Sequence, residues 1–114
     1  MTNIDGPRAA TARSCYEAYL EGRRDQVAAV LTEDFTFSSP QDDHIDRKTY
    51  FERCWPEKPP FRAIDIEHLV FDGDTAMIGY RAEKLAGGSF RNVELMRFKG
   101  DRIAEITVYF GRNV

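Results

Sequence analysis

Three observations predict an α+β fold, with N-terminal helices packed on a mostly antiparallel sheet. Apolar residues recur at helical spacing through the opening of the chain. From Phe61 onward they alternate at strand spacing. Short turn signals, Asp72-Gly73, Ala86-Gly87-Gly88 and Lys99-Gly100-Asp101, separate those strand segments. Helices first and an antiparallel meander second is the α+β order.

Residues 1–6 read as a loose, flexible start, and 7–112 as a single domain. The first helix is expected over 7–20, where Ala12, Cys15, Tyr16, Tyr19 and Leu20 share three- and four-residue spacings. Gly22 supplies its end. A short second helix over 25–31 carries Val27, Val30 and Leu31. Phe35 and Phe37 then alternate with hydroxyl residues, as in a half-buried strand that Pro40 stops. Residues 41–45 read as a polar loop. Asp46 caps a third helix whose apolar side holds Tyr50, Phe51, Cys54 and Trp55, and Pro56 ends it. Four longer strands are expected over 61–71, 75–85, 90–98 and 103–110.

Composition narrows the function classes. The 114 residues are 42% hydrophobic and 31% charged, enough for one core and no folded insertion. Sixteen Lys and Arg against nineteen Asp and Glu give a net charge of −3, which argues against a phosphate-backbone binder and so against nucleic acid. Two cysteines, Cys15 and Cys54, make no disulfide framework and read as buried thiols. No long apolar run predicts a membrane span, and no apolar leader opens the chain, so a cytoplasmic location is the expectation.

Several segments together carry a family resemblance: Ala18-Tyr19-Leu20-Glu21-Gly22, the stretch from Leu31 through Phe35-Thr36-Phe37-Ser38-Ser39-Pro40, and Gly100-Asp101-Arg102-Ile103-Ala104-Glu105-Ile106 with Tyr109-Phe110-Gly111. Over 9–112 the chain resembles the NTF2-like superfamily, in its SnoaL-like branch of small polyketide-cyclase-like and ketosteroid-isomerase-like proteins. That resemblance implies a cone-shaped, cystatin-like fold, with a strongly curved sheet, helices across its open side and a pocket inside. It also implies a homodimer. The superfamily holds enzymes, noncatalytic binders and transport factors, so the fold does not select among them.

Against the bacterial ketosteroid isomerase, the catalytic aspartate before a proline falls on Ser39, and a hydroxyl is no carboxylate base. The helix tyrosine falls on Cys15; Tyr16 is adjacent, one helical step away, and is expected to point elsewhere. The second acid falls on Glu94, ahead of Leu95-Met96-Arg97-Phe98. Steroid isomerisation by that arrangement is therefore rejected.

Strand parity puts Asn92, Glu94, Met96 and Phe98 on one face, which the resemblance turns inward. A carboxyl among apolar neighbours should have a raised pKa and can act as a general acid, or it is a structural polar anchor. The densest titratable run is Asp42, Asp43, His44 and Asp46. Asp42 or Asp43 could replace the missing base through a water molecule, or the run is a cap and a solvated turn. The candidate catalytic residues are thus Glu94, Asp43 and Asp42. Candidate pocket residues are Phe37, Ser39, Tyr50, Trp55, Tyr80 and Asn92. No metal or cofactor set is expected: only His44 and His68 are present, and the acidic spacing fits no calcium loop.

Three functions stand open: an acid–base isomerase, cyclase or hydrolase acting on a small hydrophobic metabolite, a noncatalytic binder of such a molecule, or a homodimeric interaction module. Val93 and Leu95 between Arg91 and Arg97 suit an outer protein-binding face.

Overall fold

The structure, a computed structural model, describes residues 6–114. Most of the expected loose start lies outside the described residues, and Gly6 already opens the first helix. Helix α1 (Gly6–Glu21) buries Ala12, Cys15, Tyr16 and Ala18. It ends on Gly22 at φ 70°, with Arg23 N–H donating to the Ala18 carbonyl at 2.8 Å and Gly22 N–H to that of Tyr19 at 3.3 Å. These paired bonds form a Schellman cap, which needs the left-handed backbone that glycine adopts without a Cβ penalty. Helix α2 (Arg24–Val30) has one buried residue, Val27, and is too short to persist without packing against α1.

Strand β1 (Leu31–Ser39) follows without a loop and buries Leu31, Phe35, Phe37 and Ser38. The expected polar loop over 41–45 is instead mostly a strand, β2 (Asp42–Asp46), antiparallel to β1. Its sequence hid this because four of its five residues are polar, so no apolar alternation marks it. His44, at φ 48°, also interrupts its regular extension. Helix α3 (Arg47–Cys54) starts as expected: the Asp46 side chain accepts the Thr49 N–H at 2.9 Å. The meander is β3 (Phe61–Asp72), β4 (Thr75–Lys84), β5 (Ser89–Lys99) and β6 (Arg102–Asn113).

All six strands form one sheet in the order β2-β1-β6-β5-β4-β3. Only the β1–β6 pair is parallel, so the mostly antiparallel expectation stands. The cone does not. The sheet is open, neither closed nor strongly curled: β2 and β3 are its two edges. Closure would require those edges to pair, and the five-residue β2 bonds only to β1. Register shifts in the β1–β6, β3–β4 and β5–β6 pairs disturb the ladder locally without joining its ends.

One face of the sheet carries the helices and the core. Ala76, Ile78, Tyr80 and Ala82 of β4 are buried, while Met77 between them is 46% exposed. The same two-residue rhythm buries Asn92, Met96 and Phe98 on β5 and exposes Val93. Among the described residues, no helix is long and apolar enough to cross a membrane.

Candidate functional site

The inner face of the sheet and the helices leave a cavity of about 510 Å³. Its size is that of an ordinary small-molecule site, about 300–1,000 Å³. Aromatic and aliphatic side chains dominate its wall, and among the described residues Glu94 is its only carboxyl.

Cross-strand register explains how Glu94 is surrounded. Its partner on β4 is Ile78 and its partner on β6 is Val108, both buried. One carboxyl therefore sits in an apolar row. The next row toward the mouth holds Tyr80, Asn92 and Phe110. Tyr80 Oη donates to Glu94 Oε2 at 2.8 Å, and Tyr16 Oη, from α1, donates to Oε1 at 3.0 Å. Asn92 Nδ2 in turn donates to Tyr80 Oη at 3.3 Å. The Tyr16 and Tyr80 rings pack at 5.3 Å between centroids.

Burial and these bonds act on Glu94 in opposite directions. Burial pushes its carboxyl above the ordinary 4.5, and the two phenol donors offset only part of that rise. Burial, with Glu94 beside them, also raises the phenols of Tyr16 and Tyr80. Both tyrosines therefore remain hydrogen-bond donors at neutral pH. The Cys15 thiol is pushed up to about 12 by burial and then by Glu94, which leaves it inert as a nucleophile at neutral pH. Cys54 is raised to about 11, first by burial. Both cysteines are free.

The cavity brings together Phe37, Tyr50, Trp55, Tyr80, Asn92 and Glu94. Ser39, Asp42 and Asp43 do not line it. Ser39 ends β1, and its hydroxyl accepts the N–H of Gln41 in the following turn at 3.1 Å. Asp42 is paired with Arg53 of α3 at 2.7 Å. The Asp43 side chain is 94% exposed and touches His44 Nδ1 at 2.7 Å. His44 Nε2 lies 3.2 Å from Glu105, and its pKa is raised chiefly by the Asp43 hydrogen bond. The acidic run is thus a network of the sheet edge, separate from the cavity.

Two features escaped the sequence. Tyr16, expected to point away because Cys15 held the aligned position, reaches Glu94, and both residues line the cavity. A helix turns only about 100° per residue, so neighbouring side chains can flank one wide pocket. The second is a bulge in β6. Between the pairs Phe90–Asn113 and Asn92–Phe110 the register gains one residue on β6. A Cβ on Gly111 would collide with the Arg91 carbonyl oxygen, and the Gly111 N–H donates to Asn92 Oδ1 at 3.1 Å. An isolated glycine in a strand was the available signal. The bulge ties Asn92, and through it Tyr80, to the rim of the cavity.

Among the described residues, no group of three or more His, Cys, Asp or Glu is arranged to hold a metal ion.

Comparison with known proteins fits this architecture. The chain superposes on an NTF2-like protein of unknown function from Burkholderia xenovorans LB400 with a TM-score of 0.80, at 17% identity, covering 97% of this chain and 88% of that one. A structure described as a putative ketosteroid isomerase from Kribbella flavida DSM 17836 gives 0.78 at 20% identity, covering 98% and 82%. An NTF2-like protein from Anabaena variabilis ATCC 29413 gives 0.73 at 23% identity, covering 97% and 94%. At these identities the likeness is one of fold. No protein of curated function matches the sequence. Residues 12–106 match the model of the SnoaL-like domain, and the chain belongs to that family within the NTF2-like superfamily.

Proposed function

We propose that the cavity binds a small, largely hydrophobic molecule and that Glu94 exchanges a proton with it, in isomerase-, cyclase- or hydrolase-type chemistry. One observation carries this reading: a single carboxyl stands in an apolar cavity, held by two phenols and raised above its ordinary pKa. A carboxyl raised above its ordinary range serves in turn as base and as acid. As a base, Glu94 takes a proton from a carbon beside a carbonyl. The C–H electron pair then forms an enolate, and the protonated Glu94 returns the proton to complete the cycle. Once neutral, Glu94 needs its phenol donors less, and Tyr16 or Tyr80 can turn its O–H to the enolate oxygen. The domain over 7–112 would act as one unit, with Phe37, Tyr50 and Trp55 packing on the ligand. This proposal assigns no part to Asp42, Asp43 and Ser39, which lie outside the cavity lining.

The noncatalytic alternative rests on a specific observation: both phenols that could hold an oxyanion are engaged by Glu94. Deuterium exchange into 2-tetralone, an apolar bicyclic ketone, separates the two readings. Enolisation by Glu94 predicts exchange in D₂O faster than buffer alone, and a loss of about 10²–10⁴-fold in Glu94→Gln. Binding of 2-tetralone without accelerated exchange favours the binder.

We also propose that the outer sheet face forms a homodimer. Val70 pairs with Met77, and Val93 with Tyr109, and all four are exposed. Together they make an apolar patch of the kind that marks an interface. A monomer by light scattering would contradict this.

A further inference from the structure

Among the described residues the cavity wall holds one other charged side chain besides Glu94, namely Lys84 at the end of β4. Parity puts it on the inner face. Ile78, Tyr80 and Ala82 point the same way and are buried, and Lys84 is where that row emerges into solvent. The residue joins no ion pair among the described residues. Its Nζ lies 5.6 Å from the centroid of the Phe90 ring, so an aromatic wall holds the ammonium at the rim. Asn113, paired with Phe90 beyond the Gly111 bulge, lines the same rim. Glu94 is remote from this end. The ammonium lies over Phe90, and four residues of strand from Phe90 to Glu94 span about 13 Å.

The cavity is therefore bipolar: a carboxyl in the interior, aromatic walls between, and a lone cation at the mouth. Resting on the reading of this cavity as a ligand site, we infer that its ligand is an amphiphilic monocarboxylate. Its apolar body lies on the aromatic walls, its carboxylate meets Lys84 and Asn113 at the mouth, and its uncharged oxygen faces Glu94. One ammonium and one amide suit a single negative charge; a phosphate dianion recruits several cationic or backbone donors. The distance between the poles keeps the ligand's charge away from the Glu94 carboxyl.

Two fluorescent probes of the same ring size test this. 2-Naphthol carries the hydroxyl alone, and 6-hydroxy-2-naphthoate adds a carboxylate at the far end. At low salt the carboxylate probe is expected to bind about tenfold tighter than 2-naphthol. Added sodium chloride should shrink that advantage, because the pair at the mouth is exposed. Lys84→Gln should abolish the advantage and Lys84→Arg should retain it. Equal affinity of the two probes for the parent protein, or an advantage that survives Lys84→Gln, overturns the assignment of Lys84 while leaving the cavity as a ligand site. Failure of both probes to bind overturns the cavity reading and this inference with it.

Discussion

Asp42, Asp43, His44 and Asp46 crowd the edge strand β2, while Glu94 stands alone in the centre of the sheet. At the edge, each acid has a local partner: Asp42 an arginine, Asp43 the neighbouring imidazole, Asp46 the first turn of α3. The Asp43 side chain is almost wholly in water. At the centre, Glu94 has no cationic partner among the described residues, only two phenols and apolar neighbours in its row. Density of charge along a sequence is therefore a poor guide to chemistry here. The acids that crowd this edge each meet a neighbouring basic side chain or cap a helix. The register places a lone acid among Ile78 and Val108, where neither neighbour balances its charge and burial pushes its pKa up.

The largest test breaks the apolar half of that contrast. Ile78 is fully buried and faces Glu94 across the β4–β5 ladder. Ile78→Ala should cost about 2–5 kcal/mol in chemical denaturation. It should also bring the Glu94 pKa back toward its ordinary value, because the vacated volume beside a carboxyl can admit water.

Next comes the pH dependence of stability. The folded protein holds the Glu94 proton more tightly than the unfolded chain does. Stability present below about pH 4.5, the ordinary value, is accordingly lost as pH rises through the raised value of the folded state. Glu94→Gln should remove that decline and leave the alkaline side relatively more stable. A parent and variant with parallel pH profiles between acid and neutral conditions would contradict burial as the dominant influence on Glu94.

A smaller effect is expected from Tyr80→Phe. The change removes one hydrogen bond to Glu94 and the acceptor for Asn92 Nδ2. The expected loss is about 0.5–1.5 kcal/mol, with the Glu94 pKa moving further up as a stabilising donor is lost. A downward movement would mean that the phenol does not stabilise the carboxylate. The smallest effect belongs to the edge. Asp42→Asn removes an ion pair whose arginine is 57% exposed, so it should cost less than about 1 kcal/mol and leave the Glu94 titration unmoved.

Much of this arrangement was legible before the structure. Strand parity is binary, so one inward residue on β5 assigned Asn92, Glu94 and Met96 together, and their burial or cavity lining followed. Helix boundaries were carried by local chemistry: the left-handed Gly22 and the Asp46 cap lie where the residue types require them. Tyr16 was misread because a helix wall is not binary, and adjacent residues both reach a broad cavity. Strand β2 was missed because four of its five residues are polar and its single apolar residue, Ile45, sets up no alternation. The cone inherited from the resemblance failed for a different reason. Closure depends on whether β2 and β3 meet, and no local residue pattern encodes a pairing between strands so distant in order. Nothing in the sequence singles out Lys84, since the neighbours that make it part of a rim, Phe90 and Asn113, come from other strands.

The most direct test of the contrast between centre and edge is the titration of the Glu94 carboxyl itself. Carboxyl-selective ¹³C NMR, with the Glu94 resonance assigned by its loss in Glu94→Gln, reads it without any ligand. The resonance should titrate above 4.5, and Tyr80→Phe should move the midpoint higher still. A midpoint at or below 4.5 would mean that the phenols and solvent outweigh burial, and Glu94 would then be an ionised structural anchor with no acid–base role near neutral pH.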